Sequence, residues 1–426
     1  MDPKKIRVAV VFWRLGPYHH ARLNAAGQRM QVVGIESCGM ENTNAWAKVE
    51  GAGSFQKVTL TERHVNNRLW RQELQQRMFQ TLDDLKPHAV AIPGWSLVDA
   101  LVALLWCSLT RTPAIVMSDS TAIDAPRVAW KEWIKGRVVN LCSSALVAGT
   151  RHREYVMQLG MPADRIGLGY DVVDNRYFED KVAEVRGRKS EVSSPSSVIR
   201  PPTPAPYFIA SARFIEKKNL PRLLEAYARY RHLAEKLEVR SQKSDARSPS
   251  SDLWPLVLLG DGPLRPDLCR LISDLGLQHS VFLPGFKQYP ELPAYYGLAG
   301  AFIHASTTDQ WGLVVNEAMA SGLPVLVSDR CGCAPDLVHE GVNGFTFNPC
   351  DVEAIAQSML RVANMEPGAR SKMGDASRAV IANWGPERFV SGLEFAVVKA
   401  LESGPKASTP LDRLLLRALI SCGKSD

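Results

Sequence analysis

Short apolar runs alternate with longer stretches of helical periodicity along most of this chain. Residues 6–12 form the first compact apolar run, and the turn-rich Arg14-Leu15-Gly16-Pro17 follows it. Residues 19–30 fit a helix, 31–36 a second strand, 68–85 a helix and 89–93 a short buried strand. Two more strands are expected at 114–117 and 145–148. The apolar stretch 97–109 is broken by Asp99 and falls short of the ~20 residues a membrane span needs, so it reads as a buried helix. After residue 206 the alternation resumes, with strands at 207–211, 256–259, 281–283, 301–304 and 325–327. A helix over 387–401 and a Leu-rich, basic helix over 411–420 close the pattern. Strands separated by helices predict parallel βαβ units, and hence an α/β protein with doubly wound, Rossmann-like sheets.

Between these blocks the texture changes. Residues 184–206 are rich in Ser, Pro, Arg and Lys, a composition that buries too little apolar surface to order itself. They read as a linker between an N-terminal domain over 1–183 and a C-terminal domain over 207–385, with 386–426 returning toward the N-terminal domain. A second polar insert, 240–252, reads as a surface loop. For 426 residues two domains are the expected division. Ligands of such domains bind at the carboxyl ends of the strands, here in a cleft expected between them.

Hydrophobic residues make up 46% and charged residues 22% of the chain, which describes a folded protein. The first residues lead with charge into a strand and show no secretory pattern, so a cytoplasmic location is expected. A net charge of +7 suits an anionic small ligand or an anionic membrane surface, and its scatter argues against nucleic acid. Of eight cysteines only Cys331 and Cys333 are close, and no second pair stands at zinc-site spacing, so reduced structural thiols are expected. Trp130, Lys131, Trp133, Lys135 and Arg137 fall at helical spacing. They fit either a membrane-surface helix or a core-packed helix with a solvated basic face, the commoner arrangement. The Leu-rich terminal helix carries the same two readings.

The stretch with most chemistry runs from Asp309 through Trp311, Gly312, Leu313, Val314 and Glu317 to Pro324. A strand ends near Ala305, a polar loop follows, and a helix begins near Gly312, which aims backbone N–H groups and a positive helix end at an anion. Alone, Asp309 would be an ordinary cap and Glu317 a solvated helical residue. In Ser211–Asn219, Arg213 offers a planar fork of donors and Lys218 a compact charge, while Lys217 reads as solvated. Leu259-Gly260-Asp261-Gly262-Pro263 is a Gly-rich turn after one strand, and Gly285-Phe286 a loop after the next.

Taken in order, these four elements resemble glycosyltransferase family 4, the group 1 retaining transferases of the GT-B fold. The acid-x7-Glu spacing followed by Ala318-Met319-Ala320-Ser321-Gly322 carries the resemblance, with Asp309 where the family has Glu. The resemblance implies a nucleotide-sugar donor and a glycan, lipid-linked or small-molecule acceptor. Arg213 and Lys218 would hold the diphosphate, Glu317 the ribose and Asp309 the sugar. Gly16, Gly260, Gly262, Gly285, Phe286, Trp311, Gly312, Leu313 and Val314 would line the donor site. Relatives carry a sugar-contacting His after a strand of the N-terminal domain, where Asp119 is this chain's nearest polar candidate. Asp124 and Arg127 are either acceptor contacts or a surface ion pair. No Asp-x-Asp occurs, in keeping with a donor site that uses no metal and no cofactor. Two other readings keep the fold: epimerisation or hydrolysis of a nucleotide sugar, and a non-catalytic sugar-nucleotide binder.

Overall fold

The computed structural model describes residues 5–40, 53–64, 67–188, 206–241 and 253–422. It divides into two units, Met1–Asp174 with Trp384–Asp426, and Asn175–Asn383.

Among the described residues the first unit holds seven parallel strands: β1 Arg7–Phe12, β2 Gln31–Met40, β3 Gln56–Arg63, β4 Ala89–Pro93, β5 Ala114–Ser118, β6 Ser144–Val147 and β7 Ile166–Leu168. Their order is β3-β2-β1-β4-β5-β6-β7, so the winding reverses between β1 and β4. Successive β1 residues serve opposite faces. Val8, Val10 and Phe12 join a core with Phe389, Leu393 and Val397 of the helix Pro386–Ser403, while Ala9 and Val11 face the helices Arg68–Leu85 and Val98–Thr110. Within Val98–Thr110, Asp99 is fully buried and accepts a hydrogen bond from Ser37 Oγ at 2.8 Å, which accounts for the one charge in that apolar run. β3 and β7 escape the sequence pattern because one alternates polar and apolar residues and the other is three residues long.

In the second unit, β8 Phe208–Ser211, β9 Leu256–Leu259, β10 Val281–Gly285, β11 Ala301–His304, β12 Val325–Ser328 and β13 Gly344–Phe347 are parallel in the order β10-β9-β8-β11-β12-β13. The reversal lies between β8 and β11. Loops leaving those two strands therefore diverge and open a crevice at their carboxyl ends.

Two boundaries differ from the sequence reading. The helix Asn175–Arg188 belongs to the second unit, so 175–183 leave the N-terminal domain and 184–188 are helix rather than linker. Packing explains it: Tyr177 stacks on Tyr289 with ring centroids 4.8 Å apart, Phe178 meets Tyr296, and Arg186 donates to the Gly297 carbonyl. Residues 189–205 of the expected linker and 242–252 of the expected insert lie outside the described residues, while 240 and 241 end the helix Leu220–Ser241. At the other boundary, Trp384 and Gly385 cluster with the first unit.

The Trp-bearing helix Ala129–Val139 also departs from the packed reading. It buries only Val138 and Val139, and leaves Trp130 61% and Trp133 55% exposed. Its cations are mostly engaged: Lys135 bonds Glu132 and Tyr155, and Arg137 bonds Asp412 of the terminal helix Pro410–Cys422. That terminal helix buries Leu416 and Ile420 but exposes Leu411 and Leu414.

One buried ion pair braces the first unit. Arg22, 1% exposed, bonds Asp171 at 3.0 Å and the Val172 carbonyl, pinning the helix Pro17–Gly27 to the segment after β7. Removing one partner leaves an uncompensated buried charge. Arg22→Ala should cost about 3–5 kcal/mol in urea unfolding of the first unit, whereas a cost below 1 kcal/mol would show the pair to be incidental.

Candidate functional site

Three loops of the second unit are stitched together at the reversal between β8 and β11. Asn219, in the left-handed region at φ 58°, donates from Nδ2 to the Ala305 carbonyl at 3.0 Å and to the Pro349 carbonyl at 2.8 Å. Thr307 N donates to the Lys217 carbonyl, which ties the loop after β8 to the loop after β11. Gly332 N donates to the Asp309 carbonyl and Cys333 N to the Trp311 carbonyl, tying in the loop after β12. These backbone bonds set the side chains between them.

At the centre is Asp309. Lys218 Nζ donates to its Oδ2 at 2.5 Å, and His304 Nε2 lies 2.7 Å from the same oxygen. Burial works against the charged carboxylate, but Lys218 and His304 overcome it and hold the group well below the usual carboxylate range. Burial likewise opposes the imidazolium of His304, yet hydrogen bonds to Asp309 and Cys331 raise its pKa. For Cys331 burial again opposes ionisation; hydrogen bonds with Cys333 and His304 carry the thiol down to about 6. Lys218, His304, Asp309 and Cys331 thus form one buried polar knot in which each group shifts its neighbour.

Gly312 caps the helix Leu313–Ala320 at φ 96°, a conformation open to glycine, and an added Cβ would stand 2.8 Å from Cys331 Sγ. The first-turn N–H groups at Leu313 and Val314 have no acceptor within the helix and point to its N-terminal side, as an anion requires. On the flank, Gly260 at φ 128° lets the turn after β9 close against the Ala212 carbonyl, 1.8 Å from where a Cβ would fall. Phe214 N bonds the Asp261 carbonyl there, and Gly260 N the Gly285 carbonyl. Arg213 projects from this loop, exposed, and forms no ion pair among the described residues.

The structure therefore gathers Lys218, Asp309 and Gly312 directly, with Arg213, Gly260, Gly262 and Gly285 on loops joined to theirs. Phe286 is 37% exposed at the end of β10. Two expected site residues stand elsewhere. Trp311 is 2% exposed and its Nε1 is locked on Asn316 Oδ1 at 2.9 Å, so its side chain is core and only its backbone lies in the loop. Glu317 is neither solvated nor open: it is fully buried and receives the Tyr296 hydroxyl at 2.7 Å. A ribose contact calls for one of its oxygens to become accessible.

In the first unit, Gly16 caps the helix Pro17–Gly27 at φ −86°, a geometry open to any residue. Asp119 follows β5 near Tyr170, whose hydroxyl is pushed up by burial first and by Asp171 and Asp119 next. Asp124 bonds Thr121, and Arg127 bonds Glu132 and Tyr155, so of the two readings of Asp124 and Arg127 the ion pair between them does not form. Sequence reasoning missed His304, Asn219 and Tyr296. His304 sits at the end of an apolar strand and had no motif to mark it.

Residues 196–380 match the family model of glycosyl transferases group 1. Sulfoquinovosyl transferase SQD2 of Arabidopsis thaliana is 39% identical over 126 residues, 29% of this chain and 24% of that protein. A GDP-mannose-dependent alpha-(1-6)-phosphatidylinositol monomannoside mannosyltransferase of Mycolicibacterium smegmatis is 35% identical over 138 residues, 30% of this chain and 35% of its own. The chain thus spans about a quarter to a third of the length of these relatives. Anabaena HepE, solved with UDP and glucose, superposes with a TM-score of 0.64 at 16% identity, over 91% of this chain and 98% of that one. The fold is GT-B. The stretch similar to the group 1 glycosyl transferases, residues 196–380, lies within the second unit.

The charge knot generates a test. The folded pKa of Asp309 lies below its ordinary 3.8, so its contribution to stability is complete above that value and is lost as pH falls toward the folded value. Asp309→Asn should therefore unfold with a shallower loss of stability below about pH 4 than the wild type; parallel slopes in acid denaturant titrations would show that Asp309 is not held ionised.

Proposed function

We propose that this protein transfers a sugar, with retention of anomeric configuration, from a nucleoside-diphosphate sugar to an acceptor hydroxyl. The observation that carries the reading is the Lys218–Asp309 contact beside the Gly312 helix start, at the reversal of the sheet. A departing diphosphate concentrates negative charge as its glycosidic bond breaks. Fixed cations and helix N–H groups stabilise that charge more than they stabilise the bound donor.

In the proposed reaction the bond from sugar C1 to the β-phosphate oxygen breaks, its electron pair leaving with the diphosphate. The acceptor oxygen bonds C1 on the same face, and its proton passes to the departing phosphate oxygen. Arg213, Lys218 and the N–H groups of Leu313 and Val314 meet the diphosphate, so the reaction uses no metal ion. Asp309 Oδ2 is shared by Lys218 and His304, and Oδ1 is the oxygen assigned to the sugar hydroxyls. Glu317 is assigned to the ribose after displacement of Tyr296. The donor is of either base class, since one relative's name specifies GDP-mannose and one solved neighbour holds UDP. The first unit, with Asp119, is assigned to the acceptor.

A lipid-linked acceptor met at a membrane surface has a specific observation in its favour. Trp130 and Trp133 are exposed beside Lys131, and Leu411 and Leu414 are exposed on the helix bonded to Arg137. No helix among the described residues is long and apolar enough to cross a membrane.

Arg213→Ala and Lys218→Ala should each lower kcat by about 10²–10³ with melting temperature retained for the exposed Arg213. Wild-type turnover in both would overturn the site, and sugar release at full rate without acceptor would turn the reading to hydrolysis. Trp130→Ala/Trp133→Ala should lose co-flotation with anionic vesicles; flotation equal to wild type would remove the membrane reading.

A further inference from the structure

The thiol pair Cys331–Cys333 has no part in the transfer just described, yet it is set into the charge knot. The two sulfurs are 3.5 Å apart, both residues are fully buried, and His304 is 3% exposed. His304, Asp309 and Cys331 each offer one ligand atom, and the three atoms lie within 4.8 Å of one another. They come from different loops held in register by an isolated bridge between Asp309 and Cys331 and by the Gly332-to-Asp309 hydrogen bond. The loops rise from the rigid parallel strands β11 and β12.

Tetrahedral zinc, with bonds of about 2.0–2.3 Å, spaces its ligand atoms roughly 3.3–3.8 Å apart. The Cys331–Cys333 separation already falls in that range; His304 Nε2 and Asp309 Oδ2, 2.7 Å apart, must part by about 0.6 Å, while Cys331 closes on them by up to about 1 Å and brings Cys333 with it. One imidazole, one carboxylate and two thiols form the nitrogen, oxygen and sulfur set that selects zinc over magnesium or calcium. Sequence spacing hid this: Cys331 and Cys333 lack a second cysteine pair, and their partners come from a loop about 25 residues earlier that only the sheet order brings near.

One group opposes a cation there. Lys218 occupies Asp309 Oδ2 with its ammonium, 12% exposed on a flexible stem. Metal and ammonium cannot share that oxygen, so a bound metal would displace Lys218 from the position assigned to the donor diphosphate.

We propose that His304, Asp309, Cys331 and Cys333 form a site for a thiophilic divalent cation of the zinc class, and that this cation excludes the nucleotide-sugar donor. The exclusion rests on the donor-site reading above; metal occupancy does not.

The test uses the full chain, reduced, then dialysed with zinc and counted for metal. One tightly held zinc per chain is expected, together with a sulfur-to-metal charge-transfer band when cobalt replaces it. Both should be lost in Cys331→Ser/Cys333→Ser and weakened in His304→Gln, with melting curves recorded in chelator to verify folding. The exposed Cys269, Cys350 and Cys422 remain in these variants, so zinc retained at one per chain in the double variant overturns the site. So does an absence of stoichiometric metal, including the outcome in which intact mass shows the loss of two hydrogens and a Cys331–Cys333 disulfide instead. In the transfer assay, donor KM should rise about 11-fold at zinc ten times its Kd, with kcat unchanged. Zinc bound with KM unmoved overturns the exclusion and leaves the site. Failure of the donor-site reading would appear separately, as Lys218→Ala turning over normally without metal.

Discussion

The second unit depends on one carboxylate. Asp309 is taken largely out of water, a burial that would ordinarily neutralise an acid or expel it. It stays because an ammonium from the loop after β8 and an imidazole from the end of β11 reach the same oxygen. Each partner is costly to bury alone, and each becomes tolerable only when the other loop is in place. The pair therefore makes the two loops fold as one object, and the Asn219 side-chain bond and the Thr307 backbone bond make that object stiff. A stiff arrangement of charge is what catalysis by electrostatic stabilisation requires, since nothing need reorganise as charge develops.

The shorter acid at position 309 takes on meaning in this setting. A carboxylate one methylene longer would have to bend to receive both Lys218 and His304. With Asp, the reach is short and the group serves the neighbouring cations first. Its second oxygen is what remains for a sugar.

Much of the fold was legible because parallel strands buried on both faces read as short apolar runs: β4, β9 and β11 stand where the runs do. The missed strands are those without such runs: β7 of three residues, the alternating edge strand β3, and the edge strand β13, whose four residues Gly344–Phe347 include Gly and Thr. The donor-side constellation was legible as residue types in order. Its inner wiring was not, because burial is a property of packing. Glu317 and Trp311 share a motif with Asp309, yet one lies under Tyr296 and the other in the core, and spacing along a helix does not say which face is sealed. His304 and the thiols were illegible for a related reason. Their chemistry arises from contacts between loops of β11 and β12, not from neighbours in the chain. The tryptophans of Ala129–Val139 inverted the ordinary expectation that aromatic residues at helical spacing face inward.

The chain's path has a consequence for how the protein is made. The first unit is assembled from two distant stretches, and the helix Pro386–Ser403 supplies Phe389, Leu393, Ala396 and Val397 to one face of its sheet. On a ribosome adding about 5–20 residues each second, that face waits tens of seconds while Asn175–Asn383 is synthesised. During the wait an apolar sheet surface stands uncovered and invites a chaperone or a neighbouring nascent chain. The second unit, continuous in sequence, carries no such delay, so the order of folding runs against the order of synthesis.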